Sequence, residues 1–525
     1  MPFQSPHSKV REMANRENDV NGAGSFAFIR DIGLASIVPF VKKIKGVALI
    51  PIITKWIGAE GFGVWKQFSV TSGFIAILAT VGTAQVIHRY LAPMDRSEKY
   101  SAHFFAIGLL VSCVALLCAI GLVTAPQFAS ARIFGPDTSL HPLYLLAAYL
   151  PVLAFSNRLL TFLRSRRRFD VVAPLMVVRD LGSLLLVATL ILLGKGVTFA
   201  VGGFVLWEAF GMLVTLELAR RTANLKLTAP DFSGLQKYLS FGLPLALVTV
   251  GARLAKFADR YVIVNWLGVE QVGIYSVAYT GGAVGVLFLK PINQVLLPDF
   301  SVLIESGMRE KIEQRLGSIV KYFIASQAAI LVFAFFLGHS ALLLVSTESF
   351  LQGIQVLKVI PVAIMAYGLL QIGTQVLNAE ESTRAVGAIW LGTGIVNVLA
   401  NIIAVPVLGM LGAGLATLLC YALGAGVCWW VVLRMYSPKV KYESLFKVGA
   451  AMGIASSAMG LFSYYETLPP LLTLLVGGVI GGMVYSSALI GMGFVNRQEE
   501  RLLRRNLNNK LVVFLVRVGV LRSQV

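Results

Sequence analysis

Charge is scarce in this chain: only 14% of its 525 residues are Asp, Glu, Lys or Arg, against 57% that are hydrophobic. A water-soluble protein needs a largely polar shell, so the deficit excludes a soluble globular architecture. Cysteine is nearly missing too. The four present, Cys113, Cys118, Cys420 and Cys428, all lie inside apolar stretches, which excludes a disulfide framework and a thiolate metal site. The five histidines, His7, His88, His103, His141 and His339, are too scattered for a metal cluster. There is no Walker A sequence, HExxH, CxxC pair or GxSxG, so the chain is not itself an ATP-driven pump, and no metal or cofactor is called for. Residues 1–30 are polar with no early apolar run, so no signal peptide is visible and the first apolar segment is expected to be retained.

Acids are the rarer charge, 26 against 45 Lys plus Arg, for a formal net charge of +19. Such an excess ordinarily suggests nucleic acid, but the positions of the charges say otherwise. Apolar stretches of about 20 residues cross the roughly 30 Å of hydrocarbon in a bilayer. About fourteen are present: 33–57, 62–88, 102–126, 142–163, 171–193, 197–219, 239–266, 271–298, 318–346, 354–378, 385–408, 411–433, 445–465 and 468–495. Twelve is the competing number, because the first stretch carries three lysines and the last two are rich in glycine. With a cytosolic N-terminus and a change of side at every span, cytosolic pieces hold about 30 of the 45 Lys and Arg. The outer loops hold about 2, Arg132 and Lys195. This is the positive-inside pattern, so both termini are expected in the cytosol and the excess charge is assigned to topology and lipid contact, not nucleic acid.

The loops are too short to hold a soluble catalytic domain; the longest outer one, near 127–141, has about 15 residues. An enzyme is therefore not expected. The tail 496–525 spaces Leu503, Leu507, Leu511 and Val518 at helical intervals among arginines, which suits either an amphipathic helix on the inner leaflet or a solvated basic tail.

One motif occurs twice. WIGAEGFGVW at 56–65 returns as WLGVEQVGIY at 266–275, aligning Trp56, Gly58, Glu60 and Gly63 with Trp266, Gly268, Glu270 and Gly273. In both places it joins two long apolar segments. A copied hairpin implies two related bundles, the plan of many secondary transporters. GMLGAGLATL at 409–418 and GVTFAVGGFV at 196–205 point to close helix packing through small residues.

Cations inside the spans are the chemical clue. Each Lys or Arg at mid-bilayer costs about 2.5–3.5 kcal/mol, so it must snorkel, pair, or line a wet cavity. Lys55, Lys66, Lys321 and Lys358 sit near span ends and read as snorkelling. Deeper are Lys42, Lys43 and Lys45 in the first span. Arg253, Lys256 and Arg260 lie in the seventh, at spacings i, i+3 and i+7 that form one stripe, with Asp259 beside them. Arg179 and Asp180 are adjacent in the fifth span, Lys290 precedes Pro291 in the eighth, and Arg158 lies about a turn from the RSRRR loop. The repeat aligns Lys43 with Arg253. The surplus is positive, so the expected cargo is anionic. Phosphate or pyrophosphate suits the planar fork of arginine. Asp180 and Asp259 are the candidates for titration if transport is coupled to an ion gradient.

WIGAEGFGVW, then FGLPLAL and ADRYVIVNWLGVEQVGIYSVAY within 241–279, and INQVLLPDFSVL at 292–303 resemble the polysaccharide transporter family of O-antigen and exopolysaccharide flippases. That family sits in the multidrug/oligosaccharidyl-lipid/polysaccharide exporter superfamily, with the drug and toxin extruders and the lipid II flippase. The likeness runs from about 30 to 435 and is most specific across the seventh and eighth spans. It implies a flippase of the bacterial inner membrane that moves undecaprenyl-pyrophosphate-linked oligosaccharide to the outer leaflet. It also implies two six-helix lobes around a cationic cavity, two further C-terminal helices, and a polysaccharide polymerase and chain-length regulator as partners besides membrane lipids. The lysines at 42, 43 and 45 match no family motif, so their role rests on charge alone.

The expectation is therefore an all-α polytopic membrane protein of about fourteen helices, with lobes at 32–219 and 239–434. A cytosolic leader occupies 1–31, a linker 220–238, two extra helices 435–495 and a cytosolic tail 496–525. The headgroup residues are Lys42, Lys43, Lys45, Arg158, Arg179, Arg253, Lys256, Arg260 and Lys290. A drug extruder of the same superfamily would want intramembrane carboxylates without surrounding cations. A membrane-embedded polymerase or ligase would, by resemblance, carry a large outer loop.

Overall fold

A computed structural model describes residues 38–80, 83–91, 98–223, 225, 228–465 and 467–495. The expected leader and amphipathic tail lie outside the described residues, as does the start of the first span. Every regular element among the described residues is a helix. A backbone in hydrocarbon must satisfy its own hydrogen bonds, and a continuous apolar run of about 20 residues does so as a helix.

In chain order these are α1 over 38–56, α2 (Gly58–Thr80), α3 (Thr83–Val86) followed by a π turn at Ile87–Leu91, and α4 (Glu98–Thr124). Next come α5 (Pro126–Ile133), α6 (His141–Ser165), α7 (Phe169–Leu192), α8 (Gly196–Ala223) and α9 (Leu235–Leu267). Then follow α10 (Val269–Gly282), α11 (Val286–Glu305), α12 (Arg309–Val345) and α13 (Ile354–Ala379). The last are α14 (Thr383–Met435), α15 (Tyr442–Tyr465) and α16 (Pro470–Gly491). Among the described residues, 11 helical stretches are long and apolar enough to cross a membrane, so the protein is an all-α multi-pass membrane protein. The stretches expected at 385–408 and 411–433 form one 53-residue element, α14, bent at Gly409, where φ is 60° and ψ is −140°. Leu206, Ile403 and Val407 are more than 70% exposed, which suits a hydrocarbon surround and not water.

The chain divides into two compact units. The first comprises 1–56, 75–126 and 140–246. In it α4 packs on α6, and α8 packs on both α6 and α7, around Phe104, Ile107, Leu159, Phe162 and Ala219. The second comprises 57–74, 127–139 and 247–525. Here α13 packs against α10, α11, α12 and α14 around Phe300, Phe323, Leu370, Trp390 and Tyr421. The α15–α16 pair lies on α12 through Ala451, Ala455 and Met459 against Ala328 and Val332. Its linker is strapped down. The Ser437 N–H donates to Glu313 at 3.0 Å and the Lys439 ammonium to Glu310 at 2.8 Å, which pushes the Lys439 pKa up.

Candidate functional site

The repeated hairpin organises the second unit. In each copy a glycine with φ in the left-handed region joins two helices, Gly58 at 79° and Gly268 at 87°. A side chain there would strain the turn. The second glycine of each motif serves a different end. A Cβ on Gly63 would lie 2.9 Å from the Val269 carbonyl carbon and closer still to its oxygen. A Cβ on Gly273 would lie 2.9 Å from the Ala59 carbonyl carbon and 3.0 Å from the Gly63 nitrogen. The two copies thus pack backbone to backbone, reciprocally. Polar contacts brace them: Gln67 Nε2 donates to the Ile133 carbonyl at 2.6 Å, Arg132 Nη1 to Asn265 Oδ1 at 3.0 Å, and the Tyr261 hydroxyl to Thr71 Oγ1 at 2.9 Å.

This packing brings α2 alongside the basic stripe of α9. Arg260 is buried, and its Nη1 donates to Asp259 Oδ1 at 2.6 Å. The other oxygen of Asp259 accepts the Tyr275 hydroxyl at 2.5 Å. The Arg260 guanidinium lies 4.7 Å from the Tyr279 ring centroid, 5.3 Å from that of Tyr275 and 5.4 Å from that of Phe257. Arg260 and Asp259 are therefore a buried ion pair in an aromatic cage, with the Arg260 Nε left without a hydrogen-bond partner among the described residues. Arg253 and Lys256 differ. Their charged groups lie 5.7 Å and 5.5 Å from the Phe257 ring centroid, and neither has a carboxylate partner among the described residues. Arg253 is half-buried and Lys256 exposed.

Lys66 joins them. It sits two turns into α2, half-buried, within electrostatic reach of Arg260, Lys256 and Asp259, with no ion pair among the described residues. Its position near a span end suggests snorkelling; the structure instead sets it beside the stripe. The usable signal was its place just beyond a repeated motif, on the helix that the motif turns toward α9.

In the first unit the charges are mutually paired. Lys45 reaches Asp180 at 3.1 Å and lies 5.2 Å from the Phe204 ring centroid. Arg179 Nη2 meets Glu208 Oε2 at 2.5 Å, Arg179 Nη1 donates to Thr215 at 3.3 Å, and Trp207 Nε1 donates to the Arg179 carbonyl at 2.9 Å. Two bases and two acids thus form a nearly neutral, largely buried network. Arg158, 2% exposed, donates to Thr83 Oγ1 at 2.6 Å. Lys42 and Lys43 are exposed on α1, and Lys290 is exposed on α11. The nine expected cations thus fall into separate environments. Arg253, Lys256 and Arg260 share one stripe with the newly placed Lys66, while Lys45 and Arg179 belong to the network of the first unit.

Outside the spans, the 228–234 segment is tied to α4. The Asp231 N–H donates to the Ala102 carbonyl at 3.1 Å, and the His103 ring nitrogen lies 3.7 Å from the Asp231 carboxylate. Hydrogen bonds from Ser233 hold the Asp231 carboxyl below the usual carboxylate range, with His103 and Lys99 adding to the effect.

Residues 28–304, over half of the chain, match the polysaccharide biosynthesis protein family. A probable low-salt glycan biosynthesis flippase, Agl15, from Haloferax volcanii is 20% identical over 87% of this chain and 95% of its own. Stage V sporulation protein B from Bacillus subtilis is 23% identical over 72% of this chain and 78% of its own. Among solved structures, the lipid II flippase MurJ in an inward closed conformation superposes with a TM-score of 0.70 at 15% identity, covering 87% of this chain and 98% of that one. An inward-facing multidrug resistance MATE family transporter of the MOP superfamily gives a TM-score of 0.63 at 17% identity, covering 77% of this chain and 98% of that one. The chain belongs to the polysaccharide biosynthesis protein family and has the helical transporter fold shared by lipid II flippase and the multidrug extruders.

Proposed function

We propose that the protein is a flippase carrying a polyprenyl-pyrophosphate-linked oligosaccharide, of the undecaprenyl type, from the inner to the outer leaflet of the plasma membrane for cell-surface polysaccharide synthesis. The observation that carries this reading is the set Lys66, Arg253 and Lys256. None of the three has an ion pair among the described residues, and the carboxylate within reach of Lys66, Asp259, has its oxygens already taken by Arg260 and Tyr275. Uncompensated, each costs about 2.5–3.5 kcal/mol in hydrocarbon, and a bound pyrophosphate removes that cost. Asp180 in the first unit and Asp259 in the second are the candidates to take up a coupling proton. In this reading the lobes 32–219 and 239–434 rock between inward-open and outward-open states, both termini are cytosolic, the tail 496–525 rests on the inner leaflet, and a polymerase and chain-length regulator receive the product.

The test is reconstitution with a labelled lipid-linked oligosaccharide, scoring its appearance in the outer leaflet. Arg253→Ala, Lys256→Ala and Lys66→Ala each lower the rate, and the triple variant abolishes it. Intact translocation in the triple variant refutes the charge mechanism.

A further inference from the structure

One turn from Lys256, a different chemistry begins. Tyr367 on α13 is half-buried and lies within electrostatic reach of Arg253. Its hydroxyl accepts from Gln371 Nε2 at 2.7 Å, and Gln371 is itself half-buried. The Tyr367 ring is fixed from behind by Tyr421 at 5.0 Å and by Trp390 at 6.1 Å between centroids. The Gln371 amide oxygen has no protein donor among the described residues and is not sealed in the interior. An open amide and phenol on a membrane helix cost several kcal/mol against lipid tails, so they belong with Arg253 on the wet side.

The combination is a carbohydrate-binding one. An aromatic ring packs the C–H side of a sugar, while a guanidinium, a phenol and a carboxamide supply donors and acceptors to its hydroxyls. We infer that Arg253, Tyr367 and Gln371 form a glycan subsite that holds the first sugars of the cargo next to the phosphate-binding cations Lys256 and Lys66. This rests on the flippase reading above and assigns the sugar end of the same molecule. Two lysines at one end, and a phenol and a carboxamide beside a single arginine at the other, match the order of pyrophosphate and sugar in such a lipid.

The experiment measures binding of two probes to the purified full chain: undecaprenyl pyrophosphate bearing no sugar, and a polyprenyl-pyrophosphate-linked oligosaccharide. Gln371→Leu and Tyr367→Phe weaken the sugar-bearing lipid by about tenfold, the loss expected of one or two hydrogen bonds. They leave the bare lipid unchanged, which also reports a folded protein. Equal loss on both probes, or no loss on either, overturns the subsite. Lys256→Ala weakens both probes if the phosphate reading holds. Should Lys256→Ala spare both while Gln371→Leu still discriminates, the phosphate reading fails and the glycan subsite stands.

Discussion

The reciprocal glycine contact allows a quantitative test of how the hairpins move. Gly273→Ala places a methyl group 2.9 Å from the Ala59 carbonyl carbon and against its oxygen. The neighbours are backbone, so no rotamer change relieves the clash, and the hairpins must separate. Overpacking of this kind costs about 1–3 kcal/mol. The contact exists only in the arrangement where the two copies touch, so the whole cost falls on that arrangement, and a bias of this size shifts the equilibrium by about 5–150-fold. Thr71, buried beneath the hairpins and bonded to Tyr261, reports the change. With Thr71→Cys as background, a membrane-impermeant maleimide added from the outer side should label Gly273→Ala at least about fivefold faster than the parent. Gly63→Ala does the same, and the double variant adds little, because both changes break one contact. Gly426→Ala is the control, since a Cβ there meets nothing within 4 Å. Unchanged labelling in both single variants, with the protein folded in the membrane, refutes the reasoning.

Removing Arg179 alone strands Glu208 in a largely buried site, so Arg179→Leu should cost about 3–5 kcal/mol while the Arg179→Leu, Glu208→Leu double variant regains much of it; thermal unfolding in detergent distinguishes the two. Lys66→Ala removes a like charge from beside Arg260 and Lys256, so it should raise the melting temperature even as it slows translocation, and a fall in both would make Lys66 structural. Asp231 has its pKa depressed, so its contribution is present above the ordinary carboxylate value of about 3.9 and lost as pH falls through the lower folded value. Asp231→Asn should therefore be less stable than the parent near neutrality, with the gap closing in strong acid; thermal unfolding at both pH values checks it.

The helical spans and the repeated hairpin were legible in the residues because each depends on local composition or on a short repeated string, whereas the two spans expected on either side of 409 are one bent helix. Gly409 bends α14 where the apolar run was divided, and Gly58 and Gly268 carry left-handed φ where the motif turned. The spacing of Arg253, Lys256 and Arg260 likewise placed a basic stripe on α9. What spacing leaves open is which of those cations already has a partner.

Composition and local pattern by themselves determined that this is a helical membrane protein with a duplicated hairpin and a surplus of intramembrane positive charge, since hydrocarbon imposes those rules one segment at a time. Only the tertiary structure sorted the charges. Lys45 meets Asp180 across 135 positions and Arg179 meets Glu208 across 29, whereas Lys66 lies near Lys256 and Lys256 near Arg253, none with an ion pair among the described residues. The energy of a buried ion is set by groups within a few ångströms in space, and chain distance says nothing of them.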